Sequence, residues 1–212
     1  MRTLGYTSCL ADPDLWFKPE LRPDDGTKYY AYILLYVDDC IAIHHDAMGE
    51  LKKLDHYFAM KPGSMGDPDV YLGAKLRQVW LPNGVLAWGM SPSKYIQEAV
   101  KNVEKYLDEN FDGRKLLKKV NTPFANDYAP ELDMTPELSP ELANYYQSQI
   151  GVLRWIVELG RVDILTEVSL LSSHNAMPRE GHLDALFRVF AFIKLKHNSR
   201  MVFDPSYIPN RI

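Results

Sequence analysis

Two adjacent carboxylates interrupt the most strand-like stretch of this chain. The segment YYAYILLYVDDCIAIHH, residues 29–45, sets Asp38 and Asp39 between two apolar runs. Two chemistries suit such a pair. Aspartate is common at a hairpin turn, because its side chain bonds nearby backbone and tolerates left-handed geometry. Carboxylates are also the hard-oxygen ligands of Mg²⁺ and of two-metal phosphoryl-transfer sites. Successive side chains on a strand point to opposite faces. A two-metal site, with ions about 3.5–4 Å apart, draws its carboxylates from more than one element, so this pair supplies half of one at most.

Other residue types with chemical capacity are weaker. His44-His45-Asp46 combines metal-ligand types, but adjacent histidines at a strand end are expected to point apart, and the segment reads as a solvated strand end. His174, His182 and His197 are scattered and read as surface or capping residues. GRKLLKK at 113–119, with Lys94, Lys101 and Lys105, forms a basic region. It reads either as a solvated helix face or as a set of phosphate contacts along a duplex, which need no sequence readout. Trp80, Trp88 and Trp155 sit in apolar patterns and read as core, and Gly63, Gly66 and Gly73 form no phosphate-binding loop. No Ser-His-Asp or Cys-His set follows from spacing.

The chain has 212 residues, 46% of them hydrophobic and 25% charged, which suits one substantial core or two small domains. A formal net charge of -4 does not advertise a nucleic-acid binder, so any such role must rest on a local basic face. The two cysteines, Cys9 and Cys40, argue against a disulfide framework and for a reducing compartment. The N-terminus shows no apolar signal region, and the run at 31–43 is too short for a membrane span and carries two carboxylates. The expectation is a cytosolic or nuclear chain with no membrane partner.

The elements that must position these residues are legible as an α+β pattern. A short strand is expected around Leu15–Lys18, followed by turn chemistry in PELRPDDGTK. Tyr30–Val37 and Cys40–His44 are β-rich and read as a hairpin around the aspartates. Leu51, Leu54 and Phe58 have helical spacing, with Glu50, Lys52, Lys53 and Asp55 on the polar side. A second hairpin is expected from Val70 to Ser91, turning at Pro82-Asn83-Gly84. Ile96, Ala99, Val100, Val103 and Leu107 mark a helix capped by Ser91 or Ser93. Residues 121–140 are rich in proline and acid and read as a surface linker. Ser139-Pro140-Glu141 opens a helix whose buried face runs from Leu142 to Val157, and two more helices are expected at 162–176 and 178–196.

YVDD between apolar strands resembles the catalytic hairpin of reverse transcriptases, and the wider pattern is similar to the copia-like (Pseudoviridae-type) branch of LTR retrotransposons. LGYTSCLADPDLWFK resembles the segment before that hairpin, and DHYFAMK with VYLGAKL resembles the helix and strand after it. SPSKYIQEAV, VNTPF and the stretch from YYQSQIGVLRW to MVFDPS are similar to later blocks, in the right order along nearly all of the chain. The resemblance implies the C-terminal part of a right-hand polymerase, with the partial palm at 1–90. A thumb-like helical region then spans 91–120, a linker 121–140, and a helical tail 141–212 leads toward a ribonuclease H domain. It implies RNA-directed DNA synthesis with Mg²⁺ or Mn²⁺ on an RNA or DNA template, with primer and deoxynucleoside triphosphates. By resemblance Asp38 and Asp39 hold metal, Tyr36 and Val37 lie beside the primer end and nucleotide, and Tyr71, Leu72 and Gly73 help position the primer. Lys94, Arg114, Lys115, Lys118 and Lys119 are the expected backbone contacts.

The family's further catalytic aspartate, its fingers, its ribonuclease H and its integrase have no counterpart in these residues. RVDI stands where the family usually has proline second. The chain is therefore expected to be inactive alone, a fragment acting in a cytoplasmic virus-like particle or the nucleus. A nucleic-acid-binding remnant without chemistry and a relic of a transposable element with no function are the other readings. The relic reading predicts an exposed apolar sheet edge.

Overall fold

A computed structural model describes residues 1–205. It divides into two compact units, Met1–Leu72 and Gly73 onward, so the units part inside the stretch 1–90 that the resemblance assigns to the palm. Each is α+β.

In the first unit, β1 (Thr7–Ser8), β2 (Leu15–Leu21), β3 (Lys28–Tyr36) and β4 (Asp39–Ile43) form an antiparallel sheet in that order. The strand expected at Leu15–Lys18 runs on to Leu21, because Pro19 needs only a position where its missing N–H is tolerated. The register Leu34↔Ile41 and Leu35↔Cys40 sorts the two faces. On one, Ala31 and Ile33 pack with Tyr6 and with Leu54 of the helix α1 (Ala47–Asp55). On the other, Leu21, Tyr30 and Ile43 are exposed. Asp46 caps α1, accepting from the Gly49 N–H at 2.9 Å. The helix ends at Asp55, so Phe58 lies beyond it and is exposed rather than continuing the apolar stripe. A short strand β5 (Val70–Tyr71) closes the unit.

In the second unit, β6 (Ala74–Trp80) and β7 (Leu86–Ser91) form the expected hairpin around Pro82-Asn83-Gly84, with Gly84 at φ 77°. A strand absent from the sequence reading, β8 (Met201–Phe203), pairs antiparallel with β7. Helices α2 (Ser93–Asn110), α3 (Pro140–Glu158), α4 (Leu165–Ser172) and α5 (Glu180–Leu195) share one apolar core. All five predicted apolar positions of α2 are buried. Its N-cap is Pro92, without a side-chain cap bond. Ser91 and Ser93 are occupied elsewhere, Ser91 donating to Ser199 O and Ser93 bonding His197 Nδ1 at 2.8 Å. Ser139 does cap α3. The helix expected at 162–176 is shorter, a 3-10 turn at Val162–Ile164 followed by α4.

The proline- and acid-rich segment is tied down. Asp133 accepts from Tyr128 Oη at 2.8 Å and from the Thr135 N–H at 2.9 Å, and Thr135 Oγ1 accepts from the Gly181 N–H at 2.9 Å. Those bonds fasten the segment to the first turn of α5. His182 has the capping role expected for it. Its Nδ1 accepts the Arg179 N–H at 3.0 Å, which leaves Nε2–H to donate to Pro130 O at 2.9 Å.

Candidate functional site: the aspartate hairpin

β3 and β4 join through two residues, Val37 and Asp38, with Tyr36 paired to Asp39. Asp38 therefore occupies the turn, while Asp39 opens β4 rather than sharing the turn with it. Val37 has φ 50°, the positive value that primed hairpin turns require at their first central position. A β-branched residue there is strained. Val37 is 91% exposed, so its side chain packs on nothing that would favour this conformation. Tyr36, Asp38 and Asp39 are also exposed.

Asp39 Oδ2 accepts from the Leu72 N–H at 3.4 Å. Leu72 at φ 53° and Gly73 at φ 85° are two consecutive left-handed residues. That reversal leaves the Leu72 N–H facing Asp39, with Tyr71 next to it. The Tyr71 phenol is pushed up, first by burial and then by the charges of Asp39, Cys40, Asp12 and Asp14. Asp12 and Asp14 thus add negative charge near the same end of the sheet. Among the described residues, no group of three or more His, Cys, Asp or Glu side chains is arranged to hold a metal ion.

The histidines at the end of β4 do not point apart. Their rings lie 4.2 Å apart at 31°, and His44 has a side chain only 6% exposed. His44 faces inward with Lys18 and Glu20 of β2, toward Glu50 of α1. Glu50 is 1% exposed. It accepts from Tyr6 Oη at 3.2 Å and from Lys18 Nζ at 3.2 Å, and Lys53 bonds its other oxygen. Lys18 also pairs with Glu20 at 2.8 Å. Burial alone would raise the Glu50 carboxyl, but Lys53 and Lys18 outweigh it and hold it below the ordinary range. Sequence reading put Glu50 on the solvent side. The signal against that was its position four residues before Leu54, which shares a helix face with it.

The expected basic region is not a helix face, because α2 stops at Asn110. Arg114 pairs with Asp184 at 2.8 Å, and Lys115 pairs with Asp108. Lys94, Lys118 and Lys119 are exposed, and none has a carboxylate partner among the described residues. No helix among the described residues is long and apolar enough to cross a membrane.

Among known proteins, the chain is 32% identical over 201 residues to a transposon Ty5-1 protein of Saccharomyces cerevisiae, covering 91% of this chain and 56% of that protein. It is 25% identical over 194 residues to the retrovirus-related Pol polyprotein from transposon RE1 of Arabidopsis thaliana, covering 90% of this chain and 12% of the polyprotein. The chain thus spans about half the length of the first relative and a small part of the second. No family model matches, and no solved structure matches. Along nine-tenths of its length, then, this chain is a homologue of transposon-encoded proteins.

Proposed function

We propose that the chain is the aspartate-hairpin portion of a retrotransposon reverse transcriptase of the copia-like kind, with Asp38 and Asp39 contributing to its metal site. The observation that carries this reading is the tip of the β3–β4 hairpin. It presents two exposed carboxylates, Asp38 in a strained two-residue turn and Asp39 at the first position of β4, with Tyr71 and Leu72 beside Asp39. Strain at an exposed turn costs of order 1–3 kcal/mol and persists most often at functional sites. When bound, Mg²⁺ would offset the charge that develops on the attacking and departing oxygens of nucleotidyl transfer. The protein's own part is to hold two acids at a fixed separation, to restrain Asp39 through the Leu72 N–H, and to place Tyr36 at the mouth of the turn. Asp12 and Asp14 reinforce the local negative potential that draws a cation.

Two carboxylates from one hairpin hold ions loosely, and misplacement by about 1 Å costs about 10²-fold in rate. The chain alone should therefore show no primer extension with Mg²⁺ or Mn²⁺. The decisive test is binding. Mn²⁺ added to isotope-labelled protein should broaden the amide signals of residues 36–40 and 71–72. That broadening should shrink in Asp38→Asn and Asp39→Asn, and Mg²⁺ should compete it away. Equal broadening in both variants, or broadening centred elsewhere, rejects the reading.

A second reading, duplex binding without chemistry, draws on the three exposed lysines 94, 118 and 119 that lack a carboxylate partner. It predicts affinity that falls steeply with salt, about 0.9 in slope per phosphate contact.

A further inference from the structure

The second unit contains a groove of about 410 Å³ between the end of α2, residues 114–117, Tyr128 and α5. Three cations line it: Arg114, Lys115 and Arg188. Two are already neutralised, Arg114 by Asp184 at 2.8 Å and Lys115 by Asp108. Arg114 is further fixed with its guanidinium 5.3 Å from the centre of the Phe187 ring. Arg188 differs from both. One terminal nitrogen donates weakly to Thr122 Oγ1 at 3.4 Å, its Nε is shielded from water with no partner, and no carboxylate pairs with it among the described residues. A buried donor on a charged group is costly to leave unmade. Asp133 stands behind Tyr128 but is bonded to Tyr128 and Thr135, so Arg188 alone of the three cations has no carboxylate of its own among the described residues and keeps a donor in want of an acceptor.

We propose that this groove binds a phosphate group through Arg188, with Arg114 and Lys115 at its rim. A guanidinium fork meets carboxylate or phosphate equally well in geometry. The phosphate is favoured because Arg114 and Lys115 keep further N–H donors beside their carboxylate contacts, so an anion with more than two acceptor oxygens can be met from more than one side of the groove. The source of the phosphate is either a nucleic-acid backbone or a free phosphorylated molecule, and the two separate experimentally. The inference does not depend on the hairpin reading, since the groove is built wholly from residues 107–188.

The test uses the 212-residue chain. On the unaltered protein, the Arg188 Nε–Hε resonance is followed while sodium phosphate, sodium acetate at equal ionic strength, or a short blunt duplex lacking terminal phosphates is added. Phosphate should shift that resonance further than acetate does at the same ionic strength. A shift with the duplex as well identifies a backbone phosphate as a ligand, and a shift with phosphate alone identifies a free phosphorylated molecule. Arg188→Gln should weaken the binding about tenfold, the scale of one charge-assisted hydrogen bond. For the duplex it should also reduce the slope of log K against log salt by about 0.9. Arg188→Lys, which keeps the charge and loses the fork, should fall between the two. Lys94→Gln, away from the groove, should leave phosphate binding unchanged. The proposal fails if the Arg188 resonance is unmoved by both phosphate and duplex, or if acetate moves it as far as phosphate. It fails equally if a folded Arg188→Gln protein binds as tightly as the parent.

Discussion

The two units hold themselves together by different means. The first has four fully buried apolar residues, Tyr6, Ala31, Ile33 and Leu54, and beside them a buried Lys18–Glu50 pair whose outer partners, Glu20 and Lys53, reach solvent. The second draws a continuous apolar core from four helices, in which Phe190, Ile156 and Leu153 are wholly buried. Its one deeply buried charge among the described residues, Arg161, is answered by a two-pronged contact with Asp163 at 2.8 Å and by Lys196 O at 3.1 Å. A unit with so small an apolar core depends on geometry that charge pairing enforces. Buried ion pairs are weak evidence for stability in themselves, but breaking one by removing a partner is severe. The first unit should therefore be sensitive to pH, and the second to cavity formation.

The largest effects come from attacking each unit by its own means. Phe190→Ala should destabilise the second unit by about 3–5 kcal/mol, through lost burial and the cavity left behind. Glu50→Ala should destabilise the first by about 1.5–3 kcal/mol, because it leaves the buried Tyr6 hydroxyl without its acceptor and Lys18 with Glu20 as its one remaining carboxylate. Hydrogen exchange resolved by residue should show each loss confined to its own unit. A Glu50→Ala protein with undisturbed protection in β2 and β3 would break the comparison.

Acidification should separate the units next. Glu50 and Glu20 both titrate below the ordinary glutamate range in the fold. For Glu20 the main cause is the Lys18 hydrogen bond, and for Glu50 Lys53 and Lys18 outweigh burial. Their contribution is complete above the unfolded value of about 4.3 and is lost as pH falls through the lower folded values. Amide signals of β2 and α1 should therefore weaken between about pH 4.3 and the folded values, ahead of those of α3 and α5. Asp133, also held low in the second unit, should release only the segment it fastens. Simultaneous loss of both units over that range would show that the network is not what holds the first.

Smaller effects test matched glycines. A methyl group on Gly49 would lie 2.1 Å from Asp46 Oδ2, and one on Gly181 would lie 1.9 Å from Asp133 Oδ2. Gly49→Ala should therefore cost about 1 kcal/mol, the value of the α1 cap that Asp46 must give up. Gly181→Ala should cost more, since moving Asp133 disturbs both Tyr128 and Thr135. Thermal melts would rank the two, and a reversed order would mean that Asp133 moves freely. The smallest change is Val37→Gly. It should stabilise the first unit by about 0.5–1 kcal/mol, by relieving a positive φ that valine disfavours and glycine adopts readily. A lower midpoint of unfolding for Val37→Gly would show that the turn carries no strain.

Sequence pattern alone determined the parts that depend on neighbours along the chain. The β-rich runs on either side of Asp38 and Asp39 gave the hairpin, Pro82-Asn83-Gly84 the second turn, and the 3.6-residue period of α2 all five of its buried positions. These are local because strand alternation and helical period are written in consecutive residues. Tertiary structure decided everything that required partners from far along the chain. Glu50 is buried only because Tyr6 and Lys18, distant in sequence, are there to receive it. Arg114 and Lys115 lose their free charge to Asp184 and Asp108, so that Arg188, absent from the basic run, becomes the unpaired cation of its groove. β8 exists only because β7 offers it an edge. The acids of the hairpin were legible because a turn displays them to solvent, whereas the charges that hold the fold were not. Whether a charged side chain is solvated or buried is decided by which opposite charge the chain folds against it, and no local period records that.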